Sequence, residues 1–364
     1  MDRRAFLSAA GLAVLGLSHR PAFARAAKAP RVALDRLMET TKVPGIAVAG
    51  VLDGNPIQLA GGVPLDTGFP AASLSKPVFA WAVRDLARAG RLDWHKPLQE
   101  YADLGLSGEA RTITAEHVLT HSTGLTNWRF KADEQLTTAF TPGSRWQYSG
   151  EGIFLLQRAV EKIVGVPIGA YMRDQVLRPM GMTRSTFAWT PEVQSRAAAG
   201  HDRNGLPLER SLAFYEQHNH EIVGDGESAT YEQIVAAYEK AKAPAIPIAI
   251  APNMAGSLQT TAPDYARFLA RVLADTAQRR DDFRPRIDVN HQIAWTLGLG
   301  VDRSLGALSF FHWGDGPGFK NFAWVQPARK AALVFLTNGD RGASLYAWVF
   351  RELLREDPAA FYWI

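Results

Sequence analysis

Apolar residues along this chain alternate between a period of two and a period near 3.6, and the switches mark out its elements. Val32–Thr41 predicts a short helix stopped by Pro44-Gly45. Ile46–Leu52 is a continuous apolar run followed by Asp53-Gly54-Asn55, which predicts a strand, a tight turn and a hairpin partner over Ile57–Ala60. From Ser73 the period lengthens. Phe79, Ala82, Val83 and Leu86 fall at i, i+3, i+4 and i+7, one apolar helix face ending near Gly90. Ile153, Leu156, Val160, Ile163 and Val164 repeat that stripe and are closed by Gly165 and Pro167. The stretch 187–255 mixes Pro, His and charge around one helix at Tyr231–Lys242. Thr261-Ala262-Pro263-Asp264 then opens a helix over Ala262–Leu273 with a capping-box pattern. Ala307–Phe311, Phe319–Val325 and Ala331–Leu336 return to strand lengths, and Ser344–Leu354 predicts a last helix. Strands at both ends with helices between imply an α/β fold with an inserted helical domain. The sheet domain is drawn from 25–98 and 250–364, the mainly helical domain from 99–249.

The first residues carry a different signal. Paired arginines, Arg3-Arg4, precede an apolar run from Ala5 to Leu17, and Ala22-Phe23-Ala24 offers small residues at a cleavage spacing. This pattern predicts a cleaved export signal over residues 1–24, of twin-arginine type, and hence a periplasmic or secreted protein. The apolar run falls short of the roughly 20 residues that span a bilayer, so no stable membrane anchor is expected. Cleavage there would remove three arginines and one aspartate and lower the net charge from +4 to +2. So small a charge argues against nucleic acid or anionic lipid as a partner. The chain has 47% hydrophobic residues, enough for a large core, and no cysteine. Disulfides, thiolate metal sites and a cysteine nucleophile are therefore excluded.

The chemistry begins at Ser73-Leu74-Ser75-Lys76. Residues three apart on a helix share a face, so the Ser73 hydroxyl and the Lys76 amine can meet. Pro77 has no N–H and fits only a first turn, which puts Ser73 at a helix N-terminus, where free N–H groups favour an oxyanion. A serine needs a neighbouring base to become a nucleophile, and a lysine serves only if its pKa falls from about 10.4 towards 7–8. The spacing alone arises about once by chance in a chain of ordinary composition. Its companions give it meaning. Tyr148-Ser149-Gly150 sits between the turn Thr141-Pro142-Gly143-Ser144 and the Ile153 helix, and His312-Trp313-Gly314 closes an apolar run ahead of Asp315-Gly316-Pro317-Gly318.

A serine–lysine pair, a tyrosine turn and a His-x-Gly strand in that order resemble the class C β-lactamase and penicillin-binding protein family, which also holds D-aminopeptidases, D-alanyl-D-alanine carboxypeptidases and carboxylesterases. Val118–Leu125, Leu177–Met182 and Gly256–Asp264 are similar to the same family. The resemblance runs from about Pro44 to the last residues. It implies a β-lactamase/transpeptidase-like fold, an antiparallel sheet flanked by helices. It also implies an acyl-enzyme serine hydrolase that uses neither cofactor nor metal. Ser73 would be the nucleophile, Lys76 its base or base partner, and Tyr148 a proton relay helped by Lys76 and His312. The Ser73 and Asp315 backbone N–H groups would form the oxyanion hole, and Gly314 would leave room for substrate along the strand.

Two departures bear on substrate. Gly150 stands where β-lactamases and carboxypeptidases of the family show an Asn that holds a substrate amide. His312 stands where β-lactamases have Lys, and it offers less positive charge to a carboxylate. Both point to small-molecule substrates that are small esters or D-amino-acid derivatives. A β-lactamase or D-alanyl-D-alanine carboxypeptidase is the alternative, and an inactive cell-wall peptide-binding relative the further one. A cofactor protein exported in folded form finds no nucleotide, haem, flavin or metal pattern in its support. His121 reads as a structural residue of the Thr120–Gly124 turn, and His218, His220 and Glu221 lack a metal-ligand spacing. Asp340 and Arg341 border the pocket or cap a turn. Trp81, Trp324 and Trp348 fall at core periodicity.

Overall fold

The computed structural model describes residues 28–131 and 134–364; the expected export signal lies outside them. Ten strands are present among the described residues: β1 (Ile46–Leu52), β2 (Asn55–Gly61), β3 (Phe69–Pro70), β4 (Gln259–Thr260), β5 (Ile287–Asp288), β6 (Ile293–Trp295), β7 (Gly300–Asp302), β8 (Ser309–Gly316), β9 (Phe319–Gln326) and β10 (Ala331–Thr337). Eight of them form one antiparallel sheet in the order β2-β1-β10-β9-β8-β7-β6-β5, so the first hairpin of the chain pairs with its last strand. The β1–β2 turn is the tight one expected: Asp53 and Gly54 take φ of +52° and +80°, the mirror-image turn whose twist suits a hairpin.

The helices of ten or more described residues are α1 (Lys28–Thr41), α2 (Ser75–Arg88), α3 (Gly150–Val164), α4 (Leu212–Val223), α5 (Tyr231–Lys240), α6 (Ala262–Gln278) and α7 (Gly342–Leu354). The sheet is covered on both faces, and the continuous apolar runs follow from that. Along β10, Ala332, Val334 and Leu336 enter a core shared with α2 and α6, while Ala331, Leu333 and Phe335 enter a second core shared with α1 and α7. A smaller cluster of Phe154, Ile234, Tyr238 and Ile250 joins α3 to α5.

Three differences from the sequence reading have physical causes. Strand β8 does not end after His312-Trp313-Gly314 but runs on to Gly316, because Pro317-Gly318 supplies the turn into β9. Helix α4 carries no apolar stripe since its inward face includes the buried polar residues Glu216 and Asn219, so no helical period shows. At Thr261 only half of the capping box forms: its hydroxyl accepts the Asp264 N–H, while the Asp264 carboxylate turns instead to Arg184, Ser185 and Arg267. Of the three tryptophans assigned to the core, Trp81 and Trp324 are buried and Trp348 is 39% exposed on α7. No helix among the described residues is long and apolar enough to cross a membrane.

Candidate active site

Ser73 is delivered by a braced turn. Strand β3 pairs with β4, the Ala71 N–H donates to Leu258 O (2.7 Å), and the buried Asn321 amide of β9 donates to Pro70 O (3.0 Å). Ala72 then takes φ +50°, a left-handed conformation that costs a non-glycine residue about 1–2 kcal/mol and is found where a side chain must be aimed. Ser73 follows in a single 3₁₀ turn, Ala72–Leu74, that leads into α2. Ser75 is structural: its hydroxyl donates to Ala72 O (2.6 Å) and accepts from the Leu258 N–H (3.0 Å). The Tyr265 hydroxyl, donating to Leu74 O at 2.9 Å, fixes the turn from behind.

Lys76 lies one turn on, as the three-residue spacing requires. Its Nζ is 2.8 Å from Ser73 Oγ and 2.7 Å from Ala255 O. The side chain is fully buried with no carboxylate beside it, and burial alone pulls its pKa down to about 7. The lysine is thus half-neutral near pH 7, with a lone pair that can accept the Ser73 proton while an N–H stays on Ala255.

Tyr148 closes the group. Lys76 Nζ sits 4.8 Å from its ring centre, and its hydroxyl is buried without a hydrogen-bond partner. Burial pushes the phenol pKa well up, opposed by the neighbouring Ser73 hydroxyl. The ring is held between His121, 4.3 Å away centre to centre, and Trp313, at 5.2 Å. His121, read from the sequence as merely structural, has φ +53° and accepts the Ser149 N–H at Nδ1 (3.2 Å), so it both shapes the tyrosine turn and backs the Tyr148 ring. The aromatic pattern around Tyr148 has no sequence period, which is why Trp146, Trp295 and Trp313 do not emerge as neighbours of the site until the chain is folded.

His312 is buried 6.3 Å from Tyr148, ring centre to ring centre. Its Nδ1–H donates to Trp313 O (2.8 Å), which leaves Nε2 as an acceptor with no partner. Burial first, and the Lys76 charge second, lower its pKa to about 3. The ring is neutral at pH 7 and supplies no positive charge at all.

Gly314 does not leave open space on its Cβ side. A methyl there would come within 2.1 Å of Ala71 O, so the glycine lets β8 press against the segment that carries Ser73 rather than making room for substrate. Gly314→Ala is expected to cost about 3 kcal/mol or more of stability, read as a lowered urea midpoint with the m-value unchanged. Asp315 is positioned by register. The hairpin closes on the Gly316–Phe319 pair, hydrogen-bonded pairs alternate, and β7 pairs with β8 only up to Phe311. The Asp315 N–H therefore points out of the β8–β9 ladder. Gly150 opens α3, donates its N–H to Asn127 Oδ1 (2.9 Å) and has the Trp128 ring over the place of its absent Cβ.

The remaining candidates stand elsewhere. His218 pairs with Glu221 (3.3 Å) and His220 contacts Gly224 O (2.8 Å) on the exposed side of α4, and no group of metal-ligating side chains occurs among the described residues. Asp340 accepts the Gly318 N–H (2.8 Å) and so braces the β8–β9 turn, while Arg341 precedes α7 as its cap residue.

The model of the beta-lactamase family matches residues 31–354. Esterase EstB of Burkholderia gladioli is 30% identical over 174 residues, 39% of this chain and 44% of the esterase, so the chain spans under half of that relative's length. Penicillin-binding protein 4 of Amycolatopsis lactamdurans is 26% identical over 88% of each chain. The solved structure of the D-alanine carboxypeptidase AmpC from Burkholderia cenocepacia superposes with a TM-score of 0.65 at 19% identity, over 89% of this chain and 99% of that one. With its antiparallel sheet flanked by helices on both faces, the chain belongs to the beta-lactamase family, whose members are serine hydrolases.

Proposed function

We propose that this chain is an exported hydrolase acting through an acyl-enzyme on Ser73, with small esters or D-amino-acid derivatives as substrates. The observation that carries this reading is the 2.8 Å contact between Ser73 Oγ and a buried Lys76 Nζ whose pKa is near 7. Ser73 Oγ attacks the substrate carbonyl carbon as its proton passes to the lone pair of neutral Lys76 Nζ. The Ser73 and Asp315 N–H groups take the developing oxyanion. Collapse breaks the bond to the leaving alcohol or amine, which departs with that proton, passed from the Lys76 ammonium by way of the Tyr148 hydroxyl, so that Tyr148 ends the step as the phenol it began. Water then repeats the attack in the same site and frees Ser73 and the acid. Neutral His312, 6.3 Å from Tyr148 ring centre to ring centre, adds no charge to this proton path.

Uncharged leaving groups suit this arrangement. A neutral His312 offers nothing to a substrate carboxylate, and Gly150 offers no side-chain amide, so esters rank ahead of β-lactams and carboxyl-terminal peptides. A carboxypeptidase activity is the second reading, supported by 26% identity to the D-alanyl-D-alanine-carboxypeptidase/endopeptidase AmpH of Escherichia coli over 41% of this chain and 44% of that one.

The test is fluorophosphonate labelling read by intact mass, followed by p-nitrophenyl esters, nitrocefin and D-alanyl amides. A single adduct on Ser73 and faster turnover of the esters are expected. No adduct, or nitrocefin turned over faster than every ester, would overturn the assignment. The pH profile gives a further check. kcat/KM should rise as Lys76 loses its proton through about pH 7, and no second limb should appear between pH 5 and 9 from His312, whose pKa lies near 3.

A further inference from the structure

The turn that carries Tyr148 is not bare beyond the tyrosine. Loop 126–130 is stitched to it residue by residue. The Ser149 hydroxyl donates to Thr126 O (2.8 Å), the Gly150 N–H to Asn127 Oδ1 (2.9 Å) and the Glu151 N–H to Asn127 O (2.9 Å). Arg129 pairs with the fully buried Glu151 at 3.0 Å and donates its backbone N–H to the same carboxylate (3.3 Å). A buried carboxylate facing one guanidinium is costly to separate, so this pair anchors the loop. The anchored loop sets Trp128 over Gly150. A Cβ at position 150 would meet its indole at 2.3 Å, closer than any side-chain carbon can lie. Trp128 itself is half-buried and packed against the main core.

We infer that Trp128 is a specificity-determining residue of the site: its indole fills the volume of a residue-150 side chain and gives the cleft wall beyond Tyr148 an apolar face without an amide. The inference rests on the reading of Ser73 as nucleophile. It assigns the acyl group of the substrate to a class, short and uncharged chains without a side-chain amide. Gly150 and Trp128 form one unit, the glycine existing because the indole is there. A longer acyl chain meets a ring held by an ion pair and four hydrogen bonds. An acylamino group finds no donor or acceptor on that wall, and an unpaired buried amide is penalised more heavily than a missing methylene.

The unit can be taken apart with five variants. Trp128→Leu and Trp128→Ala open the wall, Trp128→Phe keeps it aromatic, Gly150→Asn forces a side chain into the indole, and Trp128→Ala/Gly150→Asn makes room for it. Each is measured for melting temperature, fluorophosphonate labelling at Ser73, and kcat/KM on p-nitrophenyl acetate, p-nitrophenyl octanoate and nitrocefin. Trp128→Leu and Trp128→Ala should raise the octanoate-to-acetate ratio roughly tenfold, the worth of one or two methylenes in an apolar pocket, and Trp128→Phe should leave it near the wild-type value. Gly150→Asn alone should lower the melting temperature and slow every substrate. The double variant should regain the melting temperature and gain about 2–13-fold on nitrocefin over Trp128→Ala, one restored amide hydrogen bond. An octanoate-to-acetate ratio unchanged in Trp128→Leu, in protein that still labels at Ser73, would overturn the inference and leave the hydrolase reading standing. Gly150→Asn as stable and active as wild type would overturn it too. A wild type that does not label at Ser73 would overturn both.

Discussion

Ser73→Ala is expected to abolish fluorophosphonate labelling and to slow turnover about 10⁶-fold, the usual cost of removing a serine nucleophile. The size of the effect follows from what remains. Without Oγ, the Lys76 amine keeps Ala255 O, the oxyanion donors keep their places, and Tyr148 keeps its packing against His121 and Trp313. Substrate still binds, but no atom in the group is left to form the acyl bond. Water would have to attack directly, with only orientation and oxyanion stabilisation to help it. The substitution takes one hydroxyl from a braced turn whose hydrogen bonds run through Ser75, Tyr265 and Asn321, so the melting temperature should move little. A rate loss with stability intact separates chemistry from folding. Ser73→Ala protein that hydrolyses p-nitrophenyl esters within tenfold of wild type would remove Ser73 from the mechanism.

Much of this site was legible in the sequence because it rests on local geometry. The Ser73–Lys76 contact needs only three residues of helical spacing, and the β1–β2 hairpin needs only Asp53-Gly54 in a turn. The elements that stayed hidden depend on distant partners. Glu216 and Asn219 face inward on α4, so the helix lacks the apolar stripe that would announce it. Gly314 signals close approach, but only the fold identifies the approaching group as the Ala71 carbonyl and not a substrate. Gly150 reads as a missing asparagine; only the structure shows the indole from a residue 22 positions earlier already standing there. For the same reason a lone Gly150→Asn, which from sequence would restore an amide, is expected to damage the protein.

Lys76→Met should separate the cost of the site from its use. Methionine has nearly the length of lysine without the charge, so packing is kept while the proton acceptor is lost, and kcat/KM should fall by 10²–10⁴, the usual contribution of a positioned base. Stability should move the other way, with a pH dependence that identifies the cause. The Lys76 pKa drops from 10.5 to about 7 on folding because the ammonium is buried. Between those two values the unfolded chain holds a proton that the folded chain has released, so the wild type gains stability as pH rises from about 7 towards 10.5. Below pH 7 both states are protonated, and the full penalty, roughly 4–5 kcal/mol at 1.36 kcal/mol per pKa unit, bears on the fold. Lys76→Met carries no such penalty at any pH. Part of its gain is offset by Ala255 O, which loses the Nζ–H donor at a cost of about 1–3 kcal/mol that does not vary with pH. The stability of Lys76→Met relative to wild type should therefore be about 2–3 kcal/mol greater at pH 6 than at pH 9, measured by urea unfolding at both values. A difference that stays constant across that range would mean Lys76 keeps an ordinary pKa in the folded protein. The amine would then be a permanent ammonium, unable to take the Ser73 proton, and the role of base would pass to Tyr148.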